Sequence, residues 1–262
     1  MCKRLLTILV AATAFLVSAG AVRILDATPG GGAPVRQLAL LHGLENSSVK
    51  LSVETLSAAE AVKQLEAGKA DFVLLSMERI PKSFTGERRP YGALAAAVYL
   101  SAGNPAATFT RKQLAAILTA ARPGWSAFNG SPTEMHRLGL KPRANGAGLA
   151  EALIGLDGKE PVAGIFRLGS SRELLLLTGA DSEAIAFGLL LPELPVTVKA
   201  AAVDGVRPEP AEIAAGKYPL AVRCVILWNR NLSAEAAEFL KRFDSSDFRD
   251  LVEEAEMMPL SR

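Results

Sequence analysis

"VRILDATPGGGAPVRQLALLHGL", residues 22–44, changes its pattern twice within one short stretch. "VRILDA" is a short run rich in apolar residues, as in a strand, "TPGGGAP" has turn chemistry, and "VRQLALLHGL" repeats leucines at helical spacing. Strand, glycine turn and helix together make the repeating unit of an α/β fold. Pro34 suits the first turn of that helix, where its missing N–H costs nothing. Thr28, Gly30, Gly31 and Gly32 form a candidate ligand loop, one hydroxyl beside glycine N–H groups free to turn toward an anion. A flexible turn is the competing reading of the same residues.

The unit recurs in both directions from there. "VKLSVET" (49–55) alternates as a second strand, and "SAAEAVKQLEAG" opens with a capping box, Ser57 to Glu60, and closes on Gly68. "ADFVLLS" (70–76) is a third, largely buried strand. "GALAAAVYLSA" (92–102) fits a strand or a buried helix by composition. "TRKQLAAILTA" carries another capping box, Thr110 to Gln113, before the loop "RPGWSAFNG". "MHRLGLKP" is a short strand leading into "RANGAG" and a helix near 149–155. "EAIAFGLLL" and "VTVKAAAV" are later strands, "AEIAAG" a helical turn and "YPLAVRCVILW" a strand. "SAEAAEFLKRFDSSDFRDLVEEA" is expected to close the chain as one helix.

Composition narrows the function classes. Lys3 and Arg4 precede an apolar run from Leu5 to Val17 and then Ser18-Ala19-Gly20-Ala21, the pattern of a secretory signal peptide over residues 1–21. The run is shorter than a membrane span needs, and an uncleaved N-terminal anchor is the competing reading. The expectation is therefore cleavage before Val22 and a periplasmic or secreted protein. Removing the leader takes two of the 29 basic residues and none of the 27 acidic ones, leaving the two signs equal. Neither a nucleic-acid footprint nor a polybasic membrane patch remains. Cys224 is then the only cysteine and reads as a buried, inert thiol. His42 and His136 stand far apart without ligand spacing, so no metal site and no cofactor are expected. There is no G-x-S-x-G, no G-x-x-x-x-G-K-[ST] and no H-E-x-x-H, and nothing proposes an enzyme.

Two longer stretches resemble one family. In "AGNPAATFTRKQLAAILTAARPGWSAFNG", Asn104-Pro105, Thr110, Gln113-Leu114, Ile117, Trp125 and Asn129-Gly130 stand in the order found in phosphate-binding, PBP-like substrate-binding proteins of bacterial ABC transporters. In "VDGVRPEPAEIAAGKYPLAVRCVILW", so do Asp204-Gly205-Val206, Pro208, Ile213 and Gly216-Lys217-Tyr218-Pro219-Leu220. "LEAGKADFVLLS" is a third, weaker match. The resemblance implies the type II periplasmic binding fold: two α/β lobes joined by two crossing strands, with ligand in the cleft between them. The implied division is 22–102 plus 201–262 for one lobe and 103–200 for the other. It also implies a small anion, phosphate or another oxyanion, as ligand, a membrane permease or another envelope protein as partner, and a monomer.

The family's ligand loops are only partly kept. The first matches the stretch around Thr28, Gly30, Gly31 and Gly32. The second, rich in glycine and serine, has become "ETLSAAEA", where Ser57 is more simply a helix cap. The third places a hydroxyl directly before an arginine. Here Ser76 is followed by Met77 and Glu78, with Arg79 two places late, while Asp71 reads as serving its local turn. The fourth is "KPRANGAGLAEAL" (141–153). Arg143, Asn145, Gly146, Ala147 and Gly148 are its candidate ligand residues. Ala147 and Leu149 stand where the family has hydroxyls, so the resemblance implies weakened or altered specificity. A binding-fold protein that no longer captures phosphate and acts as an envelope interaction protein is the alternative.

Overall fold

The computed structural model describes residues 20–128, 130–156, 159–161 and 163–260. Residues 1–19 of the expected leader and Asn129 of the crossing motif lie outside these. The chain starts with β1 (Gly20–Asp26), α1 (Ala33–Glu45), β2 (Val49–Thr55), α2 (Ala58–Glu66) and β3 (Phe72–Ser76). Ser57 caps α2 by accepting the Glu60 N–H at 3.3 Å. A long strand follows, β4 (Glu87–Ser101), so "GALAAAVYLSA" is strand and not helix.

The next elements are β5 (Thr108–Phe109), α3 (Arg111–Thr119), β6 (His136–Leu140), α4 (Leu149–Ile154), β7 (Phe166–Leu168), α5 (Ser171–Ala180), β8 (Ala184–Leu189) and β9 (Val198–Ala200). The chain returns through β10 (Ala202–Val203) and α6 (Pro210–Ala214) into β11 (Ala221–Trp228). It ends with α7 (Ala234–Lys241), α8 (Ser246–Glu254) and β12 (Met258–Pro259). The single closing helix expected from the sequence is broken. Ser245 takes an extended backbone and caps α8, accepting the Phe248 N–H at 3.2 Å. A serine competes for backbone in this way and starts a helix better than it continues one.

Strand order shows why the molecule is two-lobed. The first half runs β2-β1-β3-β11-β4, with β1, β2 and β3 parallel and β11 antiparallel to both its neighbours. The second half runs β7-β6-β8-β4-β9, with β6, β7 and β8 parallel and β4 antiparallel to both its neighbours. Both halves have one topology. β4 belongs to each: residues 87–95 pair with β11, and residues 96–101 pair with β8 and β9. The handover is a single peptide, where the Ala95 carbonyl accepts Leu190 N–H and the Ala96 N–H donates to Leu220.

Burial follows the two-residue period of a strand covered on both faces. Phe72 and Leu74 of β3 enter the main core, while Val73 and Leu75 enter a second cluster under Ala61, Val62 and Leu65 of α2. The mirror arrangement holds under α5, where Leu174 and Leu175 cover Leu138, Leu140 and Ala186. Each such aliphatic side chain contributes roughly 1.5–3 kcal/mol. The residues that carry the family resemblance brace the crossings. Arg111 at the start of α3 donates its backbone N–H and guanidinium to Asp204 at 2.9 and 2.7 Å, and Trp125 Nε1 donates to the Glu183 carbonyl at 3.0 Å. Tyr218 donates its hydroxyl to Ala96 at the handover, 3.0 Å away.

Candidate functional site

In each half the first strand runs into the first helix through a glycine loop, 27–32 after β1 and 141–148 after β6. Such loops lie at the carboxyl ends of strands where an open sheet reverses its order, the place where α/β sheets hold ligands. The two loops meet. They bound a cleft of about 330 Å³ lined by Pro29 and Gly30 from the first, Leu94 from β4, and residues 144–149 with Ala152 from the second.

The first loop is built around a carboxylate. Asp26, 2% exposed, ends β1 beneath the start of α1. Its Oδ1 accepts the Thr28 N–H at 2.9 Å and the Thr28 hydroxyl at 2.6 Å, and its Oδ2 pairs with the Arg36 guanidinium. A Cβ on Gly32 would stand 1.9 Å from Asp26 Oδ2, and one on Gly31 would stand 2.3 Å from Cys224 Sγ. Those glycines therefore admit the carboxylate and the thiol. Tyr91 donates its hydroxyl to the Gly31 carbonyl at 2.9 Å from a bulge in β4, where Cys224 pairs with Gly92 and Val225 with Pro90. Bulges re-aim side chains in this way. Burial, reinforced by nearby Cys224 and Asp26, holds the Tyr91 phenol well above its ordinary range. Burial likewise pushes the Cys224 thiol up to about 12, with Tyr91 opposing in part. Both groups stay neutral, so the charges under this loop are the Asp26 carboxylate and its Arg36 partner.

Three backbone donors of the second loop and the start of α4 close turns within it. Ala144 N–H donates to Lys141, Ala147 N–H to Ala144 and Leu149 N–H to Gly146, at 2.9 to 3.1 Å. Gly146 and Gly148 have φ of +71° and +76°, and a Cβ on Gly146 would lie 2.1 Å from Leu189 Cγ. Only glycine permits that close seating on β8. Asn145 reaches the other half, donating to Glu256 Oε2 at 2.8 Å and to the Ala255 carbonyl at 3.4 Å. Arg143 is exposed and does not line the cleft, whereas Leu149 is buried and does.

Of the residues picked out by sequence, Gly30, Asn145, Gly146, Ala147 and Gly148 converge on the cleft. Thr28, Gly31 and Gly32 shape the first loop behind it, and Ser76 is buried at the end of β3 opposite Cys224. Asp71 accepts the Arg23 N–H at 2.8 Å and so braces β1. Sequence reading missed Asp26, Arg36, Tyr91, Leu94 and Glu256. An acid four residues before a glycine run was the available signal for Asp26. The remainder depend on strand register and on a contact between halves. Asn145 is the only polar side chain lining the cleft among the described residues, and no charged one does.

No family model and no curated protein matches the chain. Solved structures do match in shape. A protein from Planctomyces limnophilus described as a possible phosphate binding protein is 19% identical with a TM-score of 0.75, over 93% of this chain and 94% of that one. PstS from Borrelia burgdorferi is 16% identical with a TM-score of 0.71, over 93% and 100%. An ABC-type phosphate transport receptor from Vibrio cholerae is 18% identical with a TM-score of 0.65, over 90% and 99%. What they share with this chain is the two-lobed fold.

Proposed function

We propose that this chain is an exported binding protein of the phosphate-binding type, with an altered cleft that holds phosphate weakly. Ligand sits between the loops after β1 and β6, and the closed lobes are what a membrane permease would meet. The cleft lining carries the reading: glycine backbone and apolar side chains surround it, while the Asp26 carboxylate already occupies the polar centre of the first loop. Two hydroxyls absent at Ala147 and Leu149 remove hydrogen bonds of about 1.5–3 kcal/mol each to a charged ligand. Together that is roughly two to four powers of ten in affinity. The ligand-facing set is Gly30, Asn145, Gly146, Ala147 and Gly148. Arg143 supplies a solvent-screened positive charge at the rim.

Isothermal titration with inorganic phosphate tests this. The wild type should bind with a dissociation constant well above the micromolar range, Arg143→Ala should weaken that less than fivefold, and Ala147→Ser with Leu149→Thr should tighten it more than tenfold. Submicromolar binding by the wild type would overturn the reading. One observation favours the second reading, an envelope interaction protein without phosphate capture: a direct side-chain bond, Asn145 to Glu256 Oε2 at 2.8 Å, ties the two halves together at the cleft.

A further inference from the structure

Among the described residues, the edge of the first half-sheet is open. β2 pairs with β1 on one side and, among the described residues, with nothing on the other. Beside it α1 exposes Leu40 by 65% and Leu44 by 74%, and a groove of about 370 Å³ runs between them and Leu51 and Val53 of β2. Contiguous exposed apolar surface next to an unpaired strand is a template for another strand. We infer that a second copy of this chain covers it, with β2 pairing antiparallel to itself about a two-fold axis through Ser52.

The register follows from the backbone. Leu56 N–H donates to the Asp26 carbonyl at 3.1 Å, and Asp26 pairs with Thr55. In a parallel ladder this turns the even-numbered residues of β2 toward β1 and leaves the N–H and C=O groups of Leu51 and Val53 at the free edge. Centred on Ser52, the pairing sets Leu51 of one copy against Val53 of the other as hydrogen-bonded pairs. It sets Lys50 against Glu54 on both sides of the axis. Opposite charges facing each other across strands are favourable, and Glu54 already holds Arg23 at 3.0 Å on its own sheet. Moving the register by two residues either way separates the charges and shortens the ladder. The same pairing brings the two α1 helices onto one face of a continuous sheet, where Leu40 and Leu44 cover Leu51 and Val53. Such an interface is isologous and closes at two copies. It departs from the monomer expected from the sequence, and it is independent of what the cleft binds.

Sedimentation equilibrium of the purified chain over 1–300 μM should show a monomer–dimer equilibrium. Lys50→Glu, an exposed change, should weaken the dimer at least tenfold, and Val53→Pro should abolish it, since only an edge-facing N–H is lost. Ser52→Cys should cross-link to a disulfide dimer on mild oxidation. A non-hydrogen-bonded pair brings the two Cα atoms to about 4.5 Å, within disulfide range. Lys50→Cys, which faces Glu54 and not itself, should cross-link at least tenfold more slowly. A wild type that stays monomeric at 300 μM, a dimer indifferent to Lys50→Glu, or equal cross-linking at positions 50 and 52 would each overturn the proposal.

Discussion

Replacing Asp26 separates its structural work from its electrostatic effect on the cleft. The carboxylate is buried and accepts two hydrogen bonds from Thr28 as well as the ion pair with Arg36. A hydrogen bond to a charged acceptor contributes about 1.5–3 kcal/mol, and in Asp26→Ala the Thr28 N–H loses its partner outright. The Thr28 hydroxyl is half-exposed and finds water, so its loss counts for less. Arg36 is 48% exposed at its side chain, which limits the ion pair to about 1 kcal/mol after screening. The sum for Asp26→Ala is about 3–5 kcal/mol of destabilisation. Asp26→Asn keeps one carbonyl oxygen for Thr28 and turns an amide toward Arg36, so about 2 kcal/mol is expected. Urea unfolding followed by Trp125 and Trp228 fluorescence reads both. The asparagine variant also removes the negative charge beneath the first loop and should tighten phosphate binding relative to wild type. An Asp26→Ala variant within 1 kcal/mol of wild type would refute the structural argument, and weaker phosphate binding by Asp26→Asn would refute the electrostatic one.

Two further outcomes follow from other contacts. His42 is buried against Phe239, and burial first, then Arg242, lowers its pKa below 6.5. The unfolded chain therefore takes up a proton that the native fold resists. The neutral-His42 contribution is complete above pH 6.5 and is lost as pH falls through and below that value. His42→Leu should flatten the urea midpoint between pH 7.5 and 5.5, and an unchanged slope would contradict the assignment. Asn145→Ala removes the bond to Glu256 across the halves. Small-angle scattering should then show a larger radius of gyration for this variant than for wild type, and identical curves would show that the bond does not hold the lobes.

The fold was legible where local chemistry and global structure agree. The Thr110–Gln113 capping box forms as read, with Thr110 N–H donating to Gln113 at 2.7 Å. The ordered residues of the crossings proved informative because they are braces: Asp204, Trp125 and Tyr218 fix backbone and would be needed whatever the ligand. For the same reason they say little about specificity. β7 and α5 went unread, although Ser170 with Glu173 is a helix-start signal and Ser170 accepts the Glu173 N–H at 3.3 Å. The leucine run from Leu174 to Leu177 masks the helical period there, with Leu174 buried and Leu176 62% exposed. At the site, sequence located both glycine loops, but side-chain direction was beyond it. Arg143 points to solvent, and the charge that matters beside the first loop comes from a strand residue, Asp26.

A cleft that holds phosphate only weakly, as proposed, leaves the melting temperature nearly unmoved by 1 mM phosphate. Binding to the folded state alone stabilises by RT ln(1 + [L]/Kd). A millimolar constant gives about 0.4 kcal/mol and a micromolar one about 4 kcal/mol. For a chain of this size each kcal/mol moves the midpoint by about 2–4 °C. The expected shift is about 2 °C or less at matched ionic strength. A shift of about 8 °C or more would contradict it.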